Sequence, residues 1–584
     1  MPTTTLIQFF TGKTLEVPDF QRDYAWNTGN VDDLFEDIQE AMEGGEGHYL
    51  GTFILSVGDT KDRFKVLDGQ QRLTTLTMLL DAMVDALQDG DLKTFYRTTL
   101  LHHPIDGPKF SLLGSNQEFF ADLLNDANPK PASEGQKRMK AAYDWIQYRV
   151  HEIPSTGSGA TIADWLSSIG KLEVLEFIEP NEGKAIRMFQ SVNDRGVPLS
   201  RMDIAKSLLI YYSNRFLGGR LDKSIAEKFG TAFRDYSIIK GQAAEDGYKV
   251  RLIDREAFRE DDVFRYHYFA FRAADPAIEI PLDFNATSDT VLDDFLKPTL
   301  KKLHNDQTRL AAFIENYAED LAGFFGAFRF LLEATRKDKA LYLLFVTGDL
   351  AATLYPLTIR LAMRDALRHQ PSSAGGRSLL QLLEITDLRV FKIRGTNPRA
   401  DIASLTRDAG EKPLEEIAED LRRFVAKFMN DGLFESWLSQ EDLYRNLGLS
   451  RILLAKEEVE RRKGFALAEL VEQARQGQTI EHILPQEPSF GVKAYGFASK
   501  DAYEDDIHRL GNLTLLESPL NTLCGNKSVD VKMTQENLYR TSRYQITKSL
   551  AARYAPRTPA FKRSDIEERG AELANFCVAK WPLW

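Results

Sequence analysis

The stretch Thr479-Ile480-Glu481-His482-Ile483-Leu484-Pro485-Gln486 sets a carboxylate beside an imidazole within a run of β-branched and apolar residues. Such a run predicts a strand, and the proline predicts that the strand ends there. Further along the chain, the Gly511-Asn512 turn leads into a second apolar run, from Leu513 to Leu516. The two runs together predict a β-hairpin, and a helix is expected to follow it.

Four polar side chains can meet on such a hairpin and helix, those of Glu481, His482, Asn512 and Asn521. Carboxylate and amide oxygens suit Mg²⁺ or Mn²⁺. A neutral histidine beside the metal can deprotonate a water that attacks phosphorus. The set therefore indicates metal-assisted phosphodiester cleavage, whereas any one of these residues alone is equally typical of a strand edge or an ordinary turn.

This arrangement resembles the ββα-metal (HNH) nuclease motif. The resemblance implies that His482 is the general base and that Asn512 braces the hairpin loop and orients that base. It also implies that Glu481 and Asn521 are metal ligands. No histidine stands at the third position of the motif, and Asn526 is therefore an open alternative to Asn521.

A basic segment follows this motif directly. The net charge of the chain is −12 at pH 7, so any contact with DNA has to come from a local patch. A basic segment is more often a solvated helix face, but its position after the predicted metal site favours contact with a phosphate backbone. The residues expected to make that contact are Lys527, Lys532, Arg540 and Arg543.

The stretch Asp68-Gly69-Gln70-Gln71-Arg72 lies between a predicted strand and a segment with helical spacing. Free N–H groups and the helix dipole favour an anion at such a junction, and Gly69 allows the backbone to approach it. Arg72 can bind phosphate oxygens, and Gln70 or Gln71 can orient a phosphate or a water. Taken alone, Asp68 can equally be a simple N-cap.

Three N-terminal stretches resemble the first half of GmrSD-type modification-dependent restriction enzymes, a group that includes related phosphorothioation-sensing defence nucleases. They are Pro18 to Trp26, Tyr49 to Leu55 and Leu67 to Leu76. The resemblance implies a ParB/sulfiredoxin-like domain that binds and hydrolyses a nucleoside triphosphate, with GTP, ATP and CTP left open. The residues it implies for the nucleotide are Gln21, Arg22, Asp68, Gly69, Gln70, Gln71 and Arg72.

The same resemblance continues from Phe189 to Lys206. The residues themselves predict a helix that ends near Asn193, a turn at Gly196, and a new helix capped by Ser200 with Asp203 three positions later. A cluster around that turn can complete the nucleotide pocket, although each member alone is most simply a cap or a surface pair. The cluster consists of Asn193, Arg195, Asp203 and Lys206.

The length of 584 residues predicts two to four domains. We expect a multidomain, predominantly α chain with a small mixed α/β ParB/sulfiredoxin-like domain at residues 1–235, a helical middle region at 236–429 and a ββα-metal nuclease domain at 430–584. Within the middle region, the aromatic run from Phe264 to Arg272 can offer a base-stacking surface, but its spacing favours a buried helix.

Composition excludes several classes of protein. The chain has no apolar run of about 20 residues, which predicts that no segment spans a membrane. Its two cysteines, Cys524 and Cys577, support neither a disulfide framework nor a zinc site, and the N-terminus has no signal-like segment. A cytoplasmic location is therefore expected.

These observations predict a metal-dependent DNA endonuclease or nickase, regulated by a nucleotide, that acts on modified foreign DNA such as phage DNA. Its expected partners are modified double-stranded DNA and the nucleotide, and a homodimer is left open. One alternative is a nucleotide-switched protein that binds DNA or a partner and carries an inactive nuclease half. The other is an RNA-cutting toxin with the same site chemistry.

Overall fold

The computed structural model describes residues 4–17, 23–44, 49–58, 62–105, 107–154, 160–179, 200–440, 443, 446–462 and 466–583. The described chain is predominantly helical, as predicted, with one mixed sheet near the N-terminus and two small two-stranded sheets. None of its helices combines the length and the apolar character that a membrane span requires.

The N-terminal part is built on the six-stranded mixed sheet, with strand order β1-β8-β3-β4-β2-β7. The two central strands of the sheet are antiparallel. The strands of this part are β1 (Thr4–Thr5), β2 (Thr14–Val17), β3 (Tyr49–Val57), β4 (Arg63–Asp68), β5 (His102–His103), β6 (Gly107–Pro108), β7 (Phe110–Leu112) and β8 (Glu173–Glu179). Its helices are α1 (Leu6–Phe10), α2 (Thr28–Gly44), α3 (Gln70–Ala86), α4 (Gly90–Tyr96), α5 (Gln117–Leu124), α6 (Glu134–His151) and α7 (Ile162–Lys171).

The region at residues 200–428, which we call the middle region, is helical. The predicted cap of its first helix is confirmed, because Ser200 and Asp203 form a capping box. The run from Phe264 to Phe271 is largely buried, as its spacing favours. The helices are α8 (Arg201–Leu217), α9 (Asp222–Ala243), α10 (Arg251–Asp254), α11 (Glu260–Ala270), α12 (Ser288–Thr290), α13 (Lys297–Leu303), α14 (Gln307–Ala334), α15 (Lys339–Tyr342), α16 (Tyr355–Met363), α17 (Leu379–Thr386), α18 (Arg399–Asp408) and α19 (Leu414–Phe428).

The segment from Lys339 to Leu367 has helical spacing but is not one continuous helix. The chain instead forms α15, a wide π turn at Leu343–Thr347, a 3₁₀ turn at Ala352–Leu354 and then α16. Gly348 lies where an added Cβ would meet the Leu343 carbonyl oxygen at 2.8 Å. Asp349 adopts a positive φ of 55°. These two residues turn the backbone, and Pro356 lies in the first turn of the next helix.

The C-terminal part surrounds an antiparallel pair of strands, β9 (Gln478–His482) and β10 (Leu513–Glu517). A long connection between the strands carries one helix. The helices of this part are α20 (Asp431–Gln440), α21 (Leu447–Arg461), α22 (Leu467–Arg475), α23 (Lys500–Asp506), α24 (Ser518–Cys524), α25 (Val529–Thr534), α26 (Gln545–Tyr554) and α27 (Arg563–Lys580).

The hydrophobic cores do not follow the predicted domain limits. The predicted limit between residues 235 and 236 falls inside α9. One cluster of buried side chains extends from Met202 to Leu583 and therefore crosses the predicted limit between residues 429 and 430. The N-terminal sheet and its helices have a separate cluster, from Leu6 to Val174.

Candidate functional site

The C-terminal candidate site lies on the β9–β10 pair and the helix that follows it. His482 is paired with Leu513, and Glu481 with Thr514, in an antiparallel register. Helix α24 begins directly after β10. The strands, the turn at residues 510–512 and the helix thus bring together residues that are far apart in the sequence.

His482 is held by both of its ring nitrogens. Its Nε2 lies 3.0 Å from Nδ1 of His508, and its Nδ1 lies 3.1 Å from Nε2 of Gln486. The Lys532 ammonium donates to the His482 carbonyl oxygen at 2.8 Å, which fixes the backbone as well. Burial, with smaller effects of His508 and Lys532, lowers the pKa of His482 to about 3. The imidazole is therefore neutral at physiological pH.

Asn512 is fully buried, and both the oxygen and the nitrogen of its carboxamide form hydrogen bonds. Its Oδ1 accepts from the Leu484 N–H at 2.8 Å. Its Nδ2 donates to the carbonyl oxygens of Leu484 and Ile507 at 3.1 and 2.8 Å. The amide thus ties the chain after β9 to the turn before β10. A role for Asn512 in orienting the base remains a prediction.

Glu481 does not fit the metal-ligand role predicted for it. Its side chain is buried, and its Oε1 lies 2.7 Å from the Lys532 ammonium and 3.0 Å from the Tyr539 hydroxyl, which donates to it. Burial raises the pKa of this carboxyl above its usual range, against the opposing effects of Lys532 and Tyr539. Neighbouring strand residues point to opposite faces, so Glu481 faces Lys532 and Tyr539 while His482 faces His508.

Lys532 was expected to contact DNA, and this prediction is wrong. The residue has no exposed surface, and its ammonium is shared between Glu481 and the His482 carbonyl. The other residues predicted for the DNA backbone, Lys527, Arg540 and Arg543, are exposed. The basic surface beside the site is therefore smaller than the sequence indicates.

The two asparagines predicted as alternative metal ligands lie in different surroundings. Asn521 donates from Nδ2 to the Thr479 hydroxyl at 2.9 Å and thereby attaches α24 to β9. Asn526 is exposed and donates to Glu487 at 3.2 Å. Within the described ranges, no group of three or more His, Cys, Asp or Glu side chains is placed to hold a metal ion. The roles of Asn521 and Asn526 as metal ligands remain predictions.

His508, for which no role was predicted, also belongs to this site. The signal was available, because His508 lies just before the Gly511-Asn512 turn. In an antiparallel pair, the residues before the second strand lie beside the end of the first strand. That geometry places His508 next to His482.

The N-terminal candidate site is a strand-to-helix junction, as predicted. Strand β4 ends at Asp68, and α3 begins after Gly69, whose φ is 88°. An added Cβ at Gly69 would lie 2.2 Å from the Phe53 ring. Gly69 is itself the N-cap residue, so Asp68 does not hold that position. Arg72 lies over the Phe53 ring at 5.7 Å, and burial lowers its pKa.

The two glutamines of this junction differ in their freedom. The Gln71 carboxamide accepts from the Ala25 N–H at 2.7 Å and donates to the Asp23 carbonyl at 3.2 Å. It therefore fixes the loop at residues 23–25 and does not fit the predicted role of orienting a phosphate. Gln70 is buried, and its Oε1 has no hydrogen-bond partner among the residues that the structure describes. Gln70 is the glutamine that remains available for a ligand.

The other residues predicted for the nucleotide pocket divide into two groups. Gln21, Arg22, Asn193 and Arg195 lie outside the described residues. Asp203 and Lys206 are both described. Asp203 accepts from the Ser200 hydroxyl at 2.9 Å within the capping box, and Lys206 is buried in the first turns of α8.

Comparison with known families agrees with the resemblance seen at both ends of the sequence. The family model for the GmrSD restriction endonuclease N-terminal domain matches residues 6–210, and that for the GmrSD restriction endonuclease C-terminal domain matches residues 429–576. No curated protein matches the chain. The two matches occur in the order expected and together cover more than half of the sequence. The chain therefore belongs to the GmrSD restriction endonuclease family, which acts on DNA in defence.

Proposed function

We propose that this chain is an endonuclease or nickase of the ββα-metal type that cleaves modified foreign DNA under the control of a nucleotide. The observation that carries the proposal is the position of His482. It is held between Gln486 and His508 at the end of an antiparallel strand pair that a helix follows. That arrangement supports a role for His482 as the general base.

In this mechanism a water takes the place of Gln486 on Nδ1 of His482, and that nitrogen accepts the proton of the water as it attacks phosphorus. A base with a pKa of about 3 is neutral but weak. The negative charge of a bound phosphate raises the pKa of a neighbouring imidazole and makes it a better base. Asn512 and the Lys532 ammonium keep the backbone around His482 fixed, so only the Gln486 side chain has to move when DNA and the water bind.

Metal dependence is part of the proposal, but the predicted ligand set does not fit. Glu481 is bound to Lys532 and Tyr539 and is not placed to hold a metal. We propose Mg²⁺ or Mn²⁺ as the cofactor because such an ion stabilises charge on a phosphate. Treatment with a chelator should abolish cleavage, and either ion should restore it. Full activity in the presence of the chelator would contradict metal dependence.

We place the nucleotide at the N-terminal junction. Gln70 has a buried acceptor that none of the described residues satisfies, and Arg72 supplies a cation. Which of GTP, ATP or CTP binds is left to experiment. Arg72→Ala should reduce nucleotide turnover, while His482→Ala should leave turnover unchanged. Loss of turnover in both variants would contradict the presence of separate sites.

The decisive experiment measures cleavage of plasmid DNA by the wild type, by His482→Ala and by a control, His102→Ala, which changes an exposed histidine. The substrates are unmodified, glucosylated and phosphorothioated DNA, each with and without every nucleotide. We expect the wild type and the control to cut one modified substrate and His482→Ala to cut none. Equal cleavage by His482→Ala would exclude the proposed base.

One alternative has a specific observation in its favour. Because Glu481 is committed to Lys532 and Tyr539, the nuclease half can be inactive while the chain binds DNA or a partner in response to a nucleotide. Nucleotide turnover without cleavage of any DNA substrate would favour this function. Cleavage of RNA alone would instead favour an RNA-cutting toxin.

A further inference from the structure

A cavity of about 170 Å³ lies in the helical middle region. Its inner wall contains the buried residues Tyr266, Phe269 and Ile402. Its mouth contains Phe284, which is 43% exposed, and the exposed Asn397. None of its lining residues belongs to either candidate site, and the cavity lies between the two segments that the family models match.

The charge of this cavity is opposite to that of the chain. Its charged lining residues, among those that the structure describes, are Arg265 and Arg399. The net charge of the whole chain is −12. The Arg265 guanidinium lies 5.3 Å from the Tyr266 ring and 6.0 Å from the Phe269 ring, with Asp262 at 3.9 Å. Cations beside aromatic rings favour a ligand that joins a flat ring to an anion.

The size of the cavity limits what can enter it. An apolar cavity of about 150 Å³ is known to hold one benzene molecule. A volume of about 170 Å³ therefore accommodates one ring system of similar size, such as a pyrimidine base. A sugar and a phosphate attached to that ring would stay outside, where Arg399 is exposed at the start of α18.

Polar groups at the mouth suit the edge of a base. The Thr353 hydroxyl donates to Oδ1 of Asn397 at 2.9 Å. A carboxamide offers both donors and an acceptor, which is the combination that recognises the hydrogen-bonding edge of a base. The same cavity therefore combines aromatic walls, an amide and two arginines.

We propose that this cavity binds a single nucleobase, with the attached phosphate at Arg399 and Arg265. Enzymes that inspect a base take it out of the DNA stack and hold it between aromatic and apolar side chains. A nucleotide extruded from DNA is the source that the size of the cavity favours, because the sugar and phosphate remain outside. In naming DNA as the source, this inference rests on the proposed function, but base binding does not require cleavage.

The test uses the full chain with His482→Ala, so that no cleavage interferes. A DNA duplex carries one 5-iodouracil at a mismatched position, where extrusion costs least. After irradiation, mass spectrometry should find the cross-link on Phe284, Tyr266 or Phe269. Ala352→Trp, which fills the cavity mouth, and Arg399→Gln should each remove the cross-link. Ala352→Trp should also weaken binding of the mismatched duplex about tenfold, the value of one stacked base.

The matched control is Arg394→Gln, which removes an exposed arginine that does not line the cavity. It should keep both the cross-link and the affinity. Arg399 is exposed, so Arg399→Gln tests the cavity even if Ala352→Trp does not fold. Cross-linking confined to residues outside the cavity, together with unchanged binding by both variants, would overturn the proposal for DNA.

A second arm of the test distinguishes a free nucleotide from DNA. The melting temperature of the same protein is measured with AMP, CMP, GMP and TMP. One outcome is that a nucleotide raises the melting temperature of the protein with the native Ala352 but not that of Ala352→Trp. If the duplex also gives no cross-link, this result would support the base site and identify a free nucleotide as its occupant. If neither arm locates a base in the cavity, the proposal fails. The cleavage result for His482→Ala bears on the proposed function alone, so the two failures are distinguishable.

Discussion

At the scale of single residues, the C-terminal site depends on a buried ion pair as much as on its histidine. Glu481 and Lys532 lie 2.7 Å apart, and each is almost wholly buried. Taking two charges out of water costs free energy, and the attraction within a buried ion pair largely offsets that cost. The pair therefore adds little net stability, but each charge needs the other. Here it also fixes the His482 backbone, because the same ammonium donates to the His482 carbonyl.

Removal of one member of this pair should therefore be severe. Lys532→Met leaves the Glu481 carboxyl buried without its cation, and we expect a loss of about 3–5 kcal/mol of unfolding free energy. Adding Glu481→Gln should recover much of that loss. Urea unfolding of the wild type and both variants measures it. Lys527→Met, at an exposed lysine, is the control and should change stability little. An equal loss in this control would contradict a special role for the buried Glu481–Lys532 pair.

At the scale of elements, the turn before β10 depends on contact with α27. An added Cβ at Gly511 would lie 1.9 Å from the Ile566 carbonyl oxygen and 2.9 Å from the Gly570 amide nitrogen. Arg569 is buried and donates to the carbonyl oxygens of Gly511 and Leu513 at 2.8 and 2.6 Å. The helix thus holds the turn that carries Asn512.

Gly511→Ala should force this turn and α27 apart, because the clash involves backbone atoms that cannot rotate away. We expect a lower melting temperature and reduced cleavage, with a stability loss of at least about 2 kcal/mol, in the range of overpacked sites. Gly491→Ala is the control, because an added Cβ there meets nothing within 4 Å. A variant Gly511→Ala as stable as the control would show that the close approach is not essential.

Helix α3 carries a buried carboxyl that should give stability a measurable pH dependence. Asp81 is 7% exposed and accepts from the Tyr143 hydroxyl at 3.1 Å. Burial, with the nearby charge of Asp85, raises the pKa of Asp81 to about 6. Between pH 3.8 and that value, the folded chain keeps a proton that the unfolded chain has released. This contribution to stability therefore decreases as pH rises through that window and is flat above it.

Asp81→Asn removes the titrating group and keeps an acceptor for Tyr143. The free energy of unfolding of the variant, relative to that of the wild type, should increase as pH rises, by on the order of 2 kcal/mol at pH 7. Urea unfolding at pH 4 and pH 7 gives the comparison. Asp85→Asn, at a carboxyl about half exposed, is the control and should show a smaller gain. A constant difference between Asp81→Asn and the wild type across this range would contradict the shift.

At the scale of the whole molecule, the helical region and the C-terminal part form one packed unit. Arg389 is fully buried and donates to the carbonyl oxygens of Trp581 and Met429 at 3.1 and 3.2 Å. The Trp581 indole donates to Glu384 at 2.8 Å, and Arg422 donates to the Leu583 carbonyl at 3.1 Å. The C-terminus is thus joined to the middle region.

Deletion of residues 581–584 should destabilise this whole unit, because it leaves Nε of the buried Arg389 without its acceptor at a cost of about 1–3 kcal/mol, in addition to lost apolar burial. Calorimetry should show the main transition at a lower temperature. A transition of the N-terminal part, which has its own core, should move less. Phe330→Ala, at a ring that is 64% exposed, is the control. An unchanged main transition would contradict the shared unit.

The sequence by itself determined the local features of this protein. The strand at residues 478–482, the turn at Asn512 and the strand-to-helix junction at Gly69 follow from apolar spacing and turn chemistry, which neighbouring residues set. The two halves of the family were recognisable for the same reason. Which way a side chain points, and what it meets, depends on distant residues. Tertiary structure alone therefore turned Glu481 towards Lys532, placed His508 beside His482, committed Gln71 to the loop at residues 23–25, and joined the middle region to the C-terminus.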